Sequence, residues 1–303
     1  MLTRTLAAAL SATAVHGPLW PLRLAVRLAR LGIRRMQRGL VVEPSTKCLA
    51  GCACCIPSEP RDLAPGELAA WLDCAPVNPV TLNLAGKHSD PLASGSLGGI
   101  TAVARRRALS VSISTNGAGM TPETAALPFD RWIFGLPGAT RSSYAAVRGI
   151  DGLDGVIEGM RMVLSSGRAM VESVLTVWKP SAGDREAFES LMDSLGVVYR
   201  RAVPGIFDPS GNDVGRAEML AIGDPSCPYR LDPDGGVSLS REPGPCPALG
   251  YLFLDASAVL RPCPFCDRPD PSAAVPSRNA WLEARSWEAP KRARNLSHCR
   301  WCP

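Results

Sequence analysis

Four cysteines fall within ten residues of this chain: Cys48, Cys52, Cys54 and Cys55 in the stretch TKCLAGCACC. Thiolates bind soft metal centres, so such crowding points to metal or cluster ligation. With Cys54 set aside, Cys48, Cys52 and Cys55 have the spacing C-x3-C-x2-C and supply three ligands. A closed structural zinc site needs four, and four thiolates packed this tightly would strain a tetrahedron. An iron-sulfur cube held by three thiolates leaves one iron open to a small molecule, which is a catalytic feature.

A second group lies far along the chain. Cys246 and Cys263 are followed by a C-x2-C pair, Cys299 and Cys302. Four thiolates would fill the coordination of a cluster or of a structural zinc, and both readings stand. Of the remaining cysteines, Cys54 and Cys74 read as small apolar residues. Cys227 and Cys266 lie near the second group and could be extra ligands. Histidines 16, 88 and 298 make no metal pair, although His88 sits at a strand end. The sequence has no Walker loop, G-x-G-x-x-G fingerprint or Ser/His/Asp pattern.

Composition narrows the class further. Eleven cysteines in 303 residues with 46% hydrophobic content do not describe a small disulfide scaffold, because this chain can build a large core of its own. The charged fraction of 20% excludes a disordered polymer, and no basic, aromatic-interleaved surface suggests a nucleic-acid partner. The net charge of +5 is local: residues 1–42 hold seven arginines and no acid. If residues 22–38 are helical, Arg23, Arg27, Arg30, Arg34 and Arg38 form a basic stripe, and Leu22, Val26, Ala29, Ile33 and Met36 an apolar one. Three readings remain open for this segment: a transit peptide, peripheral contact with an anionic membrane surface, or a helix packed on the main domain. The protein is expected in the cytoplasm, since no apolar run reaches the roughly 18 residues that span a bilayer.

These cysteines must be carried by something regular. From residue 39, short β-rich stretches (GLVVEPSTK, VTLNLAG, LSVSISTNG, RWIFGLPG, MVESVLTVWK and VVYRRAVP) alternate with helical ones. Six β/α units result, and the alternation argues for parallel strands with helical crossovers, as an open sheet or part of a TIM-like barrel. In both, ligands collect beyond the carboxyl ends of the strands, where the first cysteine group lies. After Pro204 the rhythm gives way to Pro, Gly and Asp turn signals, with a hairpin predicted in YLFLDASAVLRPC. The expected division is a helical segment 1–38, a barrel 39–204 and a small α+β cysteine-rich domain 205–303.

In order and spacing, these features resemble the radical S-adenosylmethionine superfamily over residues 39–303, with Cys48, Cys52 and Cys55 as its C-x3-C-x2-C signature in the loop after the first strand. The resemblance implies a partial (β/α)6 barrel and a [4Fe-4S] cluster whose open iron chelates S-adenosylmethionine. One electron then cleaves the cofactor to a 5'-deoxyadenosyl radical that abstracts hydrogen from substrate. LAGKHSDPL is similar to the family's glycine-rich segment, nominating Gly86, Ser89 and Asp90 for the cofactor, with Lys87 and His88 replacing small residues. STNG resembles the segment near the ribose and nominates Ser114 and Asn116; GLPGATRSSYAAVRG nominates Arg148 for the carboxylate. The second group looks like a Twitch domain, a shortened SPASM domain, in which Cys246, Cys263, Cys299 and Cys302 hold an auxiliary [4Fe-4S] cluster. Ala258 stands where that family usually has glycine, so a somewhat different turn is expected. The implied function is dehydrogenation or epimerisation of a small sugar or aminocyclitol, with Cys227 or Cys266 as catalytic thiol and a reductant such as flavodoxin or ferredoxin. A peptide-modifying maturase and a non-catalytic zinc or iron-sulfur protein are the alternatives.

Overall fold

The structure, a computed structural model, describes residues 39–52, 55, 59–77, 79–87, 89–202, 218–224, 227–233, 237–240, 250–264 and 274–286. The basic segment 1–38, the expected boundary at 204, and Cys54, His88, Cys246, Cys266, Cys299 and Cys302 lie outside the described residues.

Six strands run parallel and side by side in sequence order: β1 (Gly39–Val42), β2 (Thr81–Leu84), β3 (Ser110–Thr115), β4 (Arg131–Leu136), β5 (Met170–Thr176) and β6 (Val198–Ala202). Between them lie α1 (Pro65–Asp73), α2 (Leu97–Arg106), the single turn α3 (Pro122–Ala125), α4 (Arg141–Arg148), α5 (Leu153–Ser166) and α6 (Arg185–Leu195). The α/β architecture expected from the alternation is therefore present. Sequence reading missed α3 and α4. The second is set by local chemistry: the Thr140 hydroxyl accepts a hydrogen bond from the Ser143 amide (3.2 Å), and Gly149 at φ +69° ends the helix.

Side chains alternate across each strand, so one face can be apolar and the other polar. Val111 and Ile113 of β3 and Trp132, Phe134 and Leu136 of β4 are buried outward against α1, α2, α5 and α6, in one core with Trp71, Ile100, Val156, Met160, Phe188 and Met192. Each such burial stabilises the fold by about 1.5–3 kcal/mol. The intervening residues face inward; Asn83, Ser112, Ser114 and Arg131 are half-buried and Arg200 is exposed, while Glu172 and Val174 are buried. Bulky apolar side chains usually fill a barrel interior. Here Ser112 and Ser114 donate to Asn83 Oδ1 (3.1 and 3.3 Å), and Glu172 pairs with both Arg131 and Arg200, the latter through Nε at 2.8 Å.

The predicted hairpin forms as β9 (Tyr251–Leu254) and β10 (Leu260–Arg261), after a small antiparallel pair, β7 (Tyr229–Leu231) and β8 (Val237–Leu239). Its first strand runs parallel to β1 with Gly39 opposite Tyr251, extending the sheet to eight strands in the order β10-β9-β1-β2-β3-β4-β5-β6. Ala258 takes φ +58°, the left-handed conformation that glycine prefers, at a cost of roughly 1–2 kcal/mol. Asp255 Oδ1 holds that turn by accepting the Ser257 and Val259 amides, both at 2.9 Å. Trp71 of α1 donates to the Ala258 carbonyl (2.9 Å), and Trp281 of α7 (Arg278–Ser286) donates to the Trp71 carbonyl (2.9 Å), which locks hairpin and helix to the barrel. Among the described residues no helix is long and apolar enough to cross a membrane.

Candidate functional site

The cysteine loop leaves β1 at its carboxyl end and is clamped at its base. Ser45 and Asp62 form an antiparallel bridge, the Thr46 amide bonds Arg61 O (2.9 Å), and the Thr46 hydroxyl bonds Glu59 O (2.6 Å). Lys47 adds an ion pair to Asp62 at 2.7 Å. Cys48, Cys52 and Cys55 consequently reach a single cavity of about 340 Å³. Cys52 is buried and packs with Val147 and Trp178, while Cys48 and Cys55 are half-buried. Burial pushes the Cys48 thiol up from its ordinary value, with the nearby Asp90 and Cys52 adding to the rise.

Gly86, Ser89, Asp90, Ser114, Asn116 and Arg148 line the same cavity. A Cβ on Gly86 would lie 2.3 Å from the backbone oxygen of Ser89, so the chain after β2 can double back only with glycine there. Asp90 is buried and acts as the knot of the site: its carboxylate accepts the Asn116 amide (2.6 Å), the Thr115 hydroxyl (2.7 Å) and the Leu92 amide (3.0 Å), while its own amide bonds Lys47 O (2.9 Å). Burial raises its pKa despite these donors. Asn116 then points Nδ2 at Cys48 Sγ (3.3 Å). Arg148 gives one terminal nitrogen to Gly135 O (2.6 Å) and the other to Cys52 Sγ (3.4 Å). The end of its helix touches the cysteine loop, because a Cβ on Gly149 would lie 2.5 Å from Gly51 O.

Two residues were not singled out from sequence. Glu43, the first residue after β1, is buried; it accepts the Lys87 amide (2.8 Å) and the Ser89 hydroxyl (2.9 Å), and burial raises its pKa. It lines a second cavity, of about 500 Å³, with Arg61, Lys87, Asp255 and Arg261. Its place at a strand's carboxyl end was the available signal. Arg200 lines the first cavity from β6, and nothing local in VVYRR marks it. Cys227 packs with Leu220 and Tyr229 and lines neither cavity; burial raises its thiol pKa. Cys263 is buried just beyond β10, and Cys74 caps α1 against the core.

Among the described residues no three His, Cys, Asp or Glu side chains are grouped to hold a metal ion. The donor set fits a cluster, which is larger than one ion and spreads its thiolates: three sulfurs from one loop face one cavity, and two of them accept N–H hydrogen bonds. A thiol whose pKa burial has raised becomes a thiolate when a metal centre coordinates it.

No family model and no curated protein matches the sequence. Among solved structures, Streptococcus suis SuiB bound to the precursor peptide SuiA superposes with a TM-score of 0.59 at 12% identity, covering 86% of this chain and 67% of that one. SuiB bound to S-adenosylmethionine gives 0.59 at 13% identity, over 86% and 68%. The chain therefore shares the fold of SuiB over most of its length. At this identity the likeness is one of architecture, and residue roles rest on the site itself.

Proposed function

We propose that this chain is a radical S-adenosylmethionine enzyme acting on a C–H bond of a small polar substrate. The observation that carries the reading is the convergence of Cys48, Cys52 and Cys55 on the cavity that Gly86, Asp90, Asn116 and Arg148 also line, at the carboxyl ends of the barrel strands. When bound there, a [4Fe-4S] cluster with one open iron would supply the electron that splits S-adenosylmethionine into methionine and a 5'-deoxyadenosyl radical. The protein's own part is to hold and shield. Asp90 fixes the turn carrying Asn116, Glu43 fixes the loop carrying Ser89, and the base clamp of the cysteine loop presents the sulfurs together.

The polar inner face supports a hydroxylated or amino-bearing substrate such as a sugar or aminocyclitol. Arg200 gives Nε to Glu172, and its two terminal nitrogens make no hydrogen bond among the described residues. The placement of Cys227 away from both cavities supports dehydrogenation over epimerisation with that thiol as hydrogen donor. Cys246, Cys263, Cys299 and Cys302 are proposed to hold the auxiliary cluster, and a flavodoxin or ferredoxin to deliver electrons. A peptide substrate is the second reading, favoured by the likeness to SuiB in its complex with SuiA.

Anaerobic reconstitution, iron and sulfide analysis, and dithionite reduction with S-adenosylmethionine test the assignment. The expected result is cluster absorbance and 5'-deoxyadenosine; the Cys48→Ala, Cys52→Ala and Cys55→Ala triple variant should form no 5'-deoxyadenosine and hold less iron and sulfide, keeping only the auxiliary cluster's share of the absorbance. Zinc in place of iron, or intact cofactor after reduction, would sink it.

A further inference from the structure

We infer that Asn116 and Arg148 set the reduction potential of the centre held by Cys48, Cys52 and Cys55, through hydrogen bonds to two of its sulfurs. The inference rests on the reading of those cysteines as cluster ligands. Cys48 Sγ accepts from the Ala50 amide (3.4 Å) and from Asn116 Nδ2 (3.3 Å), and Cys52 Sγ accepts from a terminal nitrogen of Arg148 (3.4 Å). A one-electron reduction places negative charge on the cluster and, through covalency, on its thiolates. Donors aimed at those sulfurs stabilise the reduced form more than the oxidised form and raise the potential. A charged donor does so about twice as strongly as a neutral one, so Arg148 outweighs Asn116.

Both donors are held rigidly, as a tuning role requires. The Asn116 amide is tied to Asp90 at 2.6 Å, and its Oδ1 accepts the Ala118 amide at 2.7 Å, which leaves Nδ2 directed at Cys48. The other terminal nitrogen of Arg148 is anchored on Gly135 O at 2.6 Å, and the helix behind it abuts Gly51 of the cysteine loop through Gly149. One donor follows the end of β3, the other ends helix α4, and they meet different sulfurs. Their effects therefore report two separate contacts to one centre.

The test is a dithionite titration of the reconstituted protein, without S-adenosylmethionine, followed by the EPR signal that the Cys48→Ala, Cys52→Ala and Cys55→Ala triple variant lacks, with iron and sulfide measured in every sample. Arg148→Gln is expected to lower the reduction equilibrium constant at least tenfold, which is 59 mV for one electron. Asn116→Ala is expected to lower it by a smaller factor, and Arg148→Lys, which keeps the charge, to fall between Arg148→Gln and the native protein. Unchanged potentials in cluster-loaded Arg148→Gln and Asn116→Ala overturn the inference. Loss of the cluster from both variants also overturns it, because the side chains would then retain the centre and not tune it. If only Arg148→Gln loses its cluster, the Asn116→Ala potential decides, with a downward shift supporting and an unchanged value overturning. A native protein that takes up no iron-sulfur cluster at all is a different result: it removes the functional reading, and this inference with it.

Discussion

The two faces of the barrel sheet are made from alternate residues of the same strands, yet they differ in kind. Outward, Val111, Ile113, Trp132, Phe134 and Leu136 are buried at or near zero exposure, with Trp132 and Phe134 stacked at 5.8 Å. Inward, the same strands and their neighbours carry Asn83, Ser112, Ser114, Arg131, Glu172 and Arg200, with Ile133 and Val174 among them. Parallel sheets are usually apolar on both faces. An inner face that forgoes about 1.5–3 kcal/mol for each large apolar side chain it could have buried is shaped for contact with polar matter. Stability therefore resides outside the sheet, and the inner face is the one left to the proposed substrate.

Four perturbations can break or sharpen that contrast. The largest effect belongs to the outer face: Phe134→Ala should cost about 3–5 kcal/mol, read as a fall in the urea midpoint, and a loss under 1 kcal/mol would mean the outer core is not the main source of stability. Glu172→Ala on the inner face should cost about 2 kcal/mol, because Arg131 and Arg200 then confront each other without their shared carboxylate. A cost matching that of Phe134→Ala would erase the distinction between the faces. Asn83→Ala deprives two serine hydroxyls of their acceptor in a half-buried position and should cost only about 1 kcal/mol in the same denaturation assay.

The last effect is a slope more than a level. Burial raises the Glu43 pKa, so the folded chain holds that proton more tightly than the unfolded chain. The stability linked to Glu43 is full below the ordinary carboxylate pKa and is lost as pH rises through the raised value. Glu43→Gln should flatten the stability profile across that window while keeping an acceptor for Lys87 N and Ser89 Oγ. Parallel profiles for the two proteins would show that Glu43 ionises in the fold as freely as in water.

Much of the site was legible because its signals are local. The spacing of Cys48, Cys52 and Cys55, the glycine at 86 and the strand-end position of Asn116 each depend on a few neighbouring residues, and the structure brings them to one cavity. Arg148 was legible as a site residue, but its contact with Cys52 Sγ across 96 positions was not. Arg200 was hidden for a related reason: an arginine in a short polar strand reads as solvent-facing until the curvature of the sheet turns that face inward. Ala258 was expected to alter its turn. It takes the left-handed conformation, and Asp255 and the Trp71 indole fix the hairpin from both sides.

From sequence alone came the period of two in the strands, the helical crossovers and the three-thiol motif, all of which follow from the geometry of contiguous residues. Only the tertiary structure decided that β9 would lie beside β1, more than two hundred residues away in the chain. The free edge of β1 needed a partner for its amides and carbonyls, and which strand supplies it is a matter of packing. Packing likewise turned two side chains, one from the end of a strand and one from the end of a helix, onto the sulfurs of Cys48 and Cys52, since a donor's aim depends on every element that holds it.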